Sequence, residues 1–126
     1  MKLYRLMKVT DGKPQVGTKS MMLGVRPRDP LQPNSKHDVQ AVIGSDTVQP
    51  GEGLSCYSDA SAITIQSKKL QLWSIEVDAV PPELAAQPAT EPHFHIEPRR
   101  AMTLDEFQRL LEGTLDLWEP EPGTGP

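Results

Sequence analysis

The sequence predicts an α+β domain made of several short strands and few helices. Residues 2–10, 69–77 and 93–98 follow the two-residue period of a β-strand. The stretch that begins at Thr103 instead repeats its apolar residues at helical spacing. Gly51-x-Gly53 lacks the third glycine and the following helix of a βαβ phosphate motif, so a doubly wound fold is not predicted.

Length and composition predict one domain over residues 1–118 and a flexible, Pro/Gly-rich tail over residues 119–126. Cys56 is the only cysteine, so no disulfide framework or cysteine metal cluster is expected. No apolar run approaches the roughly 20 residues of a membrane helix. The first residues also lack the apolar region of a signal peptide. We therefore expect a cytoplasmic protein that does not engage a membrane.

Charge is unevenly distributed along the chain. Residues 1–40 carry eight Lys/Arg against three acids, whereas residues 71–126 carry three Arg against eleven acids. A basic first third could line a pocket for an anion. The net charge of −4 argues against nucleic acid as the primary ligand. A solvated surface with chance asymmetry explains the distribution equally well.

The first strand carries an arginine that needs a partner. Leu3, Arg5 and Met7 share one face of a strand over residues 2–10. If both faces of that strand are partly buried, Arg5 points into a core or cleft, where its planar fork of donors suits carboxylate or phosphate. If the strand lies at a sheet edge, Arg5 is simply in water.

A glycine turn over residues 51–53 precedes a short strand and a run of polar groups. Glycines allow close backbone approach, and hydroxyls after such a turn suit a ligand. Ser55 is more plausible as a hydrogen-bonding group than as a nucleophile, because the Gly-x-Ser-x-Gly elbow is absent. Cys56 has no basic neighbour in sequence and is expected to be a buried small hydrophobe. An ordinary surface turn is the alternative.

Loops and minor elements separate these stretches. Residues 16–25 could hold a short helix or strand, and residues 39–43 a short strand. Residues 26–38, with three prolines, predict an irregular basic loop that could contact phosphates or serve solubility alone. The proline pair at 81–82 ends a strand and could start a one-turn helix, and residues 87–92 are expected to form a loop.

His93, His95 and Glu97 share one face of the strand over residues 93–98. Imidazoles and a carboxylate at this spacing resemble a metal-binding face, with His37 as a possible fourth ligand. The motif is short and no further residue completes a known cage, so no metal is predicted. Two alternatives stay open: a single catalytic or ligand-binding histidine, or no functional histidine at all.

The best helix signal follows directly. Thr103 and Glu106 form a capping box, and five apolar residues form a stripe: Leu104, Phe107, Leu110, Leu111 and Leu115. Gly113 weakens this helix without being expected to end it.

Three separated segments, taken together, resemble one family of small bacterial toxins. They are Leu3-Tyr4-Arg5, Gly53-Leu54-Ser55-Cys56-Tyr57, and Trp73-Ser74-Ile75 with Pro81-Pro82-Glu83-Leu84 before His93-Phe94-His95-Ile96 and the closing helix. This order is similar to that of the type VI secretion exported effector two family, which has an ADP-ribosyltransferase-like fold. The resemblance covers roughly residues 51–115 and the opening strand, and residues 11–45 do not match.

The resemblance implies two small sheets that form an NAD-binding cleft, with a few flanking helices. By position it gives Arg5 a role in binding phosphate or ribose, Ser55 the ribose, and Tyr57 the nicotinamide ring, beside Gly53. His93 would orient the substrate, so His93 and Ser55 are the catalytic candidates. The chemistry of that fold is loss of nicotinamide, in which positioning and electrostatics dominate.

The resemblance also implies a toxin that acts in the cytoplasm of a target cell, with an immunity partner and a possible macromolecular acceptor of ADP-ribose. The sequence departs from it in two ways. No Glu-x-Glu or Gln-x-Glu stands where many transferases keep a catalytic glutamate, and Leu54 replaces an expected small hydroxyl residue. Glu76 and Glu97 lie at unmatched positions. Transfer, NAD hydrolysis and NAD binding alone stay open, as does a non-catalytic interaction domain of the same fold.

Overall fold

Nine short strands and one α-helix make up the chain, and the computed structural model describes residues 1–126. The elements are β1 (Lys2–Thr10), β2 (Lys13–Pro14), β3 (Thr47–Val48), β4 (Leu54–Tyr57), β5 (Leu70–Glu76), β6 (Leu84–Pro88), β7 (His93–Pro98), β8 (Met102–Thr103), α1 (Leu104–Glu112) and β9 (Glu119–Pro120). Three 3-10 turns lie at Ala60–Ala62, Val77–Ala79 and Leu115–Leu117. The α+β class is therefore confirmed, with strands as its main component.

Seven strands form one sheet in which every pairing is antiparallel. Their order is β6-β7-β4-β1-β5-β9, and β2 pairs with the end of β1. β3 and β8 form a separate two-stranded ribbon at the start of α1. The central position of β1 rules out the edge-strand alternative for Arg5.

The sheet consists of two halves that meet at one point. β1 pairs with β5 over seven residue pairs, and β4 pairs with β7 over four. β1 and β4 share only the pair Tyr4–Tyr57. The two small sheets expected from the sequence are therefore joined into one sheet by a single residue pair.

Alternation along β1 separates two apolar clusters. Leu3 and Met7 are fully buried in a core of 19 residues that also includes Phe107 and Leu111 of α1. Leu6 lies on the other face, in a small cluster with Leu70 and Leu72 of β5. Both faces of β1 are therefore covered by side chains.

The predicted helix forms, with a different end. The Thr103 hydroxyl accepts the backbone N–H of Glu106 at 3.1 Å, as an N-cap does. The Glu106 carboxylate accepts from Arg100 at 3.4 Å, so the capping box is only half formed. Gly113 caps α1, and Leu115 belongs to a separate 3-10 turn. The expectation that the helix continues through Gly113 is therefore wrong.

No helix of the protein combines the length and apolarity that crossing a membrane requires.

The segment over residues 39–43 is not a strand, although Val39 and Ala41 are buried. The carboxylate of Asp46 accepts the backbone N–H groups of Val42 at 2.8 Å and Ile43 at 3.1 Å. These are donors that a neighbouring strand would otherwise take, so the side chain holds the segment as a loop.

Three other local expectations are corrected by the structure. Residues 16–25 form turns with one isolated bridge between Val16 and Leu23, not a helix or a regular strand. The helical turn near the proline pair lies before it, at Val77–Ala79. Leu84–Pro88, which the sequence leaves partly to a loop, is the edge strand β6 and pairs with β7.

The last eight residues contact β5. β9 pairs with Trp73 and Ser74, and the buried side chain of Gln71 donates to the carbonyl of Glu121 at 3.2 Å and to the hydroxyl of Thr124. The flexibility of this tail stays a prediction, and these contacts define the conformation in which it is docked.

Candidate functional site

Four polar side chains converge on one face of the β4–β7 pair. The register places Ser55 opposite His95 and Tyr57 opposite His93. Paired residues in an antiparallel ladder share a face, so these side chains lie together. The alternate residues of both strands, such as Cys56 and Phe94, enter the main core. Alternation thus brings residues that are almost forty positions apart in the chain into contact.

His93 lies beside each of the other three polar side chains on this face. Its Nε2 lies 3.1 Å from the Oγ of Ser55. Its ring centroid is 5.3 Å from that of Tyr57, and 4.9 Å from that of His95 in an edge-on arrangement. Burial, and secondly the proximity of His95, lower the pKa of His93 from its usual 6.5. The neutral imidazole is therefore favoured at neutral pH.

A hydroxyl in hydrogen-bonding distance of a neutral imidazole is the geometry of a nucleophile and its base. In such a pair a third group normally orients the histidine through its other nitrogen. Nδ1 of His93 makes no hydrogen bond. Ser55 and His93 are therefore arranged as a polar pair that can bind and orient a ligand, without the third member of a triad.

Arg5 is partnered by the protein itself. Its Nη1 donates to the carbonyl of Ser55 at 2.9 Å, and its Nη2 donates to the carbonyl of Met22 at 2.8 Å. Its Nε is buried and makes no hydrogen bond. Burial lowers the pKa of Arg5, although nearby Cys56 and Asp38 oppose this. Of the two alternatives that the sequence leaves open, the structure has the paired arginine, which is partly buried, and its partners are backbone carbonyls and not a carboxylate.

These carbonyl bonds lie at the weakest point of the sheet. Ser55 is on β4, Arg5 is on β1, and the two strands share only one ladder pair. The guanidinium therefore connects the two halves of the sheet, and its bond to Met22 adds the segment that precedes the basic loop. Arg5 has a structural role at the site, whatever else it binds.

Gly53 is required by packing against β7. A Cβ at this position would stand 2.8 Å from the carbonyl carbon of Ile96 and 3.0 Å from the Cα of Glu97, closer than real Cβ atoms come. Gly51 is different, since it has φ of +103° and open space around it. The glycine turn was expected to let a ligand approach the backbone closely. At Gly53 the close approach is instead to the backbone of the neighbouring strand β7.

Two adjoining cavities contain all five site residues predicted from the sequence. A cavity of about 560 Å³ is lined by Arg5, Ser55 and Tyr57. A second cavity, of about 490 Å³, is lined by Gly53, Ser55 and His93. Ser55 belongs to both, so the two cavities adjoin, and we refer to them together as the recess.

The basic loop over residues 26–38 forms the opposite wall. Arg26, Lys36 and Asp38 each line both cavities. The carboxylate of Asp38 accepts from the Nε and Nη2 of Arg26, both at 3.1 Å, and from its backbone N–H at 2.7 Å. This interaction raises the pKa of Arg26. One ion pair thus connects the first and last residues of the loop and holds it against the recess.

The sequence indicates that Arg26 and Lys36, in the basic loop, could contact phosphates, but it does not indicate that Asp38 lies beside them. The pairing spans twelve residues of irregular loop, so no periodicity indicates it. The segment contains two acids, Asp29 and Asp38, and nothing in the sequence indicates which of them pairs with Arg26. His95 is also absent from the predicted site, although its place on the same face as His93 follows from the strand period.

Cys56 is the small buried hydrophobe that the sequence predicts. Its side chain is fully buried. Burial raises the pKa of the thiol to about 12, although Arg5 acts in the opposite direction. A thiol with such a pKa is neutral at physiological pH, and it is not a nucleophile.

The histidine face does not form a metal-binding group. No three His, Cys, Asp or Glu side chains are arranged to hold a metal ion. His37 lies on the loop, where its Nε2 is 2.9 Å from the amide nitrogen of Gln40.

Carboxylates are scarce at the recess. Asp38 is the one acidic residue that lines either cavity, and it is engaged by Arg26. Glu76 lies at the far end of β5, 3.8 Å from the N-terminal amine, and Glu97 lines neither cavity. Neither unmatched glutamate is therefore located where it could act on a ligand beside Ser55 and His93.

Comparisons with models of protein families, with curated proteins and with solved structures found no significant match to this chain.

Proposed function

We propose that this protein is a small bacterial toxin that acts on NAD through the recess between the two halves of its sheet, with the ADP-ribosyltransferase-like fold that its sequence resembles. One observation carries the proposal. Arg5, Gly53, Ser55, Tyr57 and His93 were selected from the sequence alone, and all five line one recess. Gly53, Ser55 and Tyr57 are neighbours in the sequence, but Arg5 and His93 come from two distant strands, so the convergence of these two on residues 53–57 is not a consequence of sequence proximity.

The residues of the recess fit NAD in chemical type. Tyr57 offers an aromatic ring for stacking, and Ser55 and His93 offer hydrogen bonds to hydroxyls. NAD supplies a glycosidic bond between ribose and nicotinamide whose cleavage releases nicotinamide. The task of the protein is to hold the ribose against Ser55 and His93, so its contribution is positioning.

In this proposal the toxin acts in the cytoplasm of a target cell, and the producing cell protects itself with an immunity protein that covers the recess. The acceptor of ADP-ribose is either a macromolecule or water. The basic loop and the polar strand face together form the surface that such a partner covers.

A non-catalytic interaction domain is the second candidate, and a specific observation favours it. The recess contains no free carboxylate, since Asp38 is paired with Arg26. An enzyme that stabilises an oxocarbenium-like state normally places a negative group near it. A protein that kept the fold and lost the reaction would bind its partner, and possess no means of cleaving NAD.

Expression in the cytoplasm of a naive bacterial host tests the proposal. The native chain is compared with Ser55→Ala and His93→Ala at equal protein levels, and with Ser45→Ala, an exposed serine outside both cavities, as the matched control. We expect growth arrest with the native chain and Ser45→Ala, and growth with the other two variants.

The purified proteins are then incubated with NAD, and nicotinamide release and thermal shift are measured. Nicotinamide release that is lost in Ser55→Ala and His93→Ala supports the toxin. A thermal shift with no release supports NAD binding alone, whereas an interaction domain need show neither. Normal growth, no shift and no release with folded native protein would reject an NAD-dependent function.

A further inference from the structure

The second cavity has an unusual lining. Its ten residues include no hydrophobic side chain. They include all three histidines of the chain, His37, His93 and His95. Most small-molecule pockets are lined mainly by apolar and aromatic groups, with only a few polar ones. A fully polar lining is instead typical of a site for a charged ligand.

The fixed charges of this cavity are positive in balance. Arg26 and Lys36 line it, and Asp38 is its one acid. The carboxylate of Asp38 is bound to the Nε and Nη2 of Arg26, which leaves Nη1 of Arg26 without a protein partner. The amine of Lys36 makes no hydrogen bond and no ion pair within the protein. Donors for an anion are therefore present and unused.

We propose that this cavity binds a phosphate-type oxyanion through Lys36 and the outer edge of Arg26. Both residues also line the first cavity, so the anion lies where the two cavities meet. Guanidinium and ammonium groups suit phosphate oxygens through charge-assisted hydrogen bonds. If the anion is the diphosphate of NAD, this inference rests on the proposed function. The diphosphate then lies at the loop wall, opposite the strand residues that hold the ribose.

Titration calorimetry with inorganic pyrophosphate at low salt tests the site on the full chain. Lys36→Gln is compared with Lys68→Gln, an exposed lysine that lines neither cavity and has no ion pair. We expect Lys36→Gln to raise the Kd by about tenfold or more, because it loses one charge-assisted hydrogen bond. Lys68→Gln should bind as the native chain does.

Parallel titrations with ADP-ribose and NAD distinguish the sources of the anion. Equal losses in Lys36→Gln for pyrophosphate and ADP-ribose support a nucleotide diphosphate, and binding of pyrophosphate alone supports a free anion. No binding of pyrophosphate by folded native protein, or an unchanged Kd in Lys36→Gln, overturns the inference. If Lys36→Gln still releases nicotinamide but does not bind pyrophosphate, the proposed function is retained. If pyrophosphate binding depends on Lys36 but the native chain shows neither toxicity nor release, the anion site is retained and the proposed function is rejected.

Discussion

Replacement of Arg5 tests whether this side chain holds the two halves of the sheet together. Arg5→Ala removes the hydrogen bonds to the carbonyls of Ser55 and Met22, at 2.9 Å and 2.8 Å. Hydrogen bonds from a charged donor contribute about 1.5–3 kcal/mol each. Part of this loss is recovered, because the native state no longer buries a guanidinium and water in the recess can bind the freed carbonyls. We expect a net loss of about 3 kcal/mol in the free energy of unfolding.

That loss should be visible in thermal unfolding. For 126 residues the entropy of unfolding is about 0.26 kcal/mol/K, at roughly 2.1 cal/mol/K per residue. A loss of about 3 kcal/mol therefore lowers Tm by about 11 °C. Differential scanning calorimetry measures the change directly.

Arg99 provides the matched control. It also donates two guanidinium hydrogen bonds to backbone carbonyls, those of Pro82 at 2.8 Å and Leu84 at 3.2 Å, but it is exposed. Arg99→Ala should therefore cost less than about 1 kcal/mol. Equal losses in the two variants, or a Tm of Arg5→Ala within about 2 °C of the native value, would refute the structural role of Arg5. The control also matters for the function, since inactivity of Arg5→Ala alone does not identify a ligand contact.

Three further outcomes follow from the site. Gly53→Ala should lower the free energy of unfolding by about 1–3 kcal/mol, since its Cβ would meet the Ile96 backbone. Gly113→Ala is the control, because the nearest atoms are 3.4 Å from the new Cβ and the backbone is helical, so it should cost nothing. Urea titration of both variants measures the two changes, and equal losses would exclude the clash at Gly53. Cys56 should resist alkylation in the native protein at pH 8 and react after unfolding, because a pKa of about 12 instead of 9.0 reduces its thiolate about 1,000-fold; fast native labelling would contradict its burial. Burial lowers the pKa of His93 below 6.5, so the unfolded chain takes up the proton first as pH falls. Stability should therefore decrease below about pH 6.5, and less so in His93→Gln; an equal decrease in both proteins would assign the effect to other groups.

The sequence predicted the long strands because their signal is local. The two-residue period of residues 2–10 and 93–98 is contained in each segment, and both form strands over these residues. The helix start at Thr103 was predictable for the same reason. The edge strand β6 was not, because Leu84–Pro88 has no β-branched residue and ends in proline. Its strand conformation comes from pairing with β7, which is a tertiary effect.

The residues that share a strand face could be predicted from the sequence, but the contacts of their side chains could not. Alternation places Ser55 and Tyr57 on one face, and His93 on the matching face of its own strand. The partner of Arg5 was not predictable, because a backbone carbonyl such as that of Met22 has no signature in the sequence. The same holds for Asp38, whose contact with Arg26 depends on how the intervening loop folds.

The single residue pair between β1 and β4 has a mechanical consequence. A sheet normally resists bending between neighbouring strands, since every ladder hydrogen bond would have to stretch. Here one ladder pair, Tyr4–Tyr57, joins the two halves. Beside it, the halves are connected by the guanidinium of Arg5, which donates to the carbonyl of Ser55, and by the main core to which both contribute. Bending at this point is therefore opposed by one side-chain hydrogen bond and by core packing, and not by a ladder of backbone hydrogen bonds.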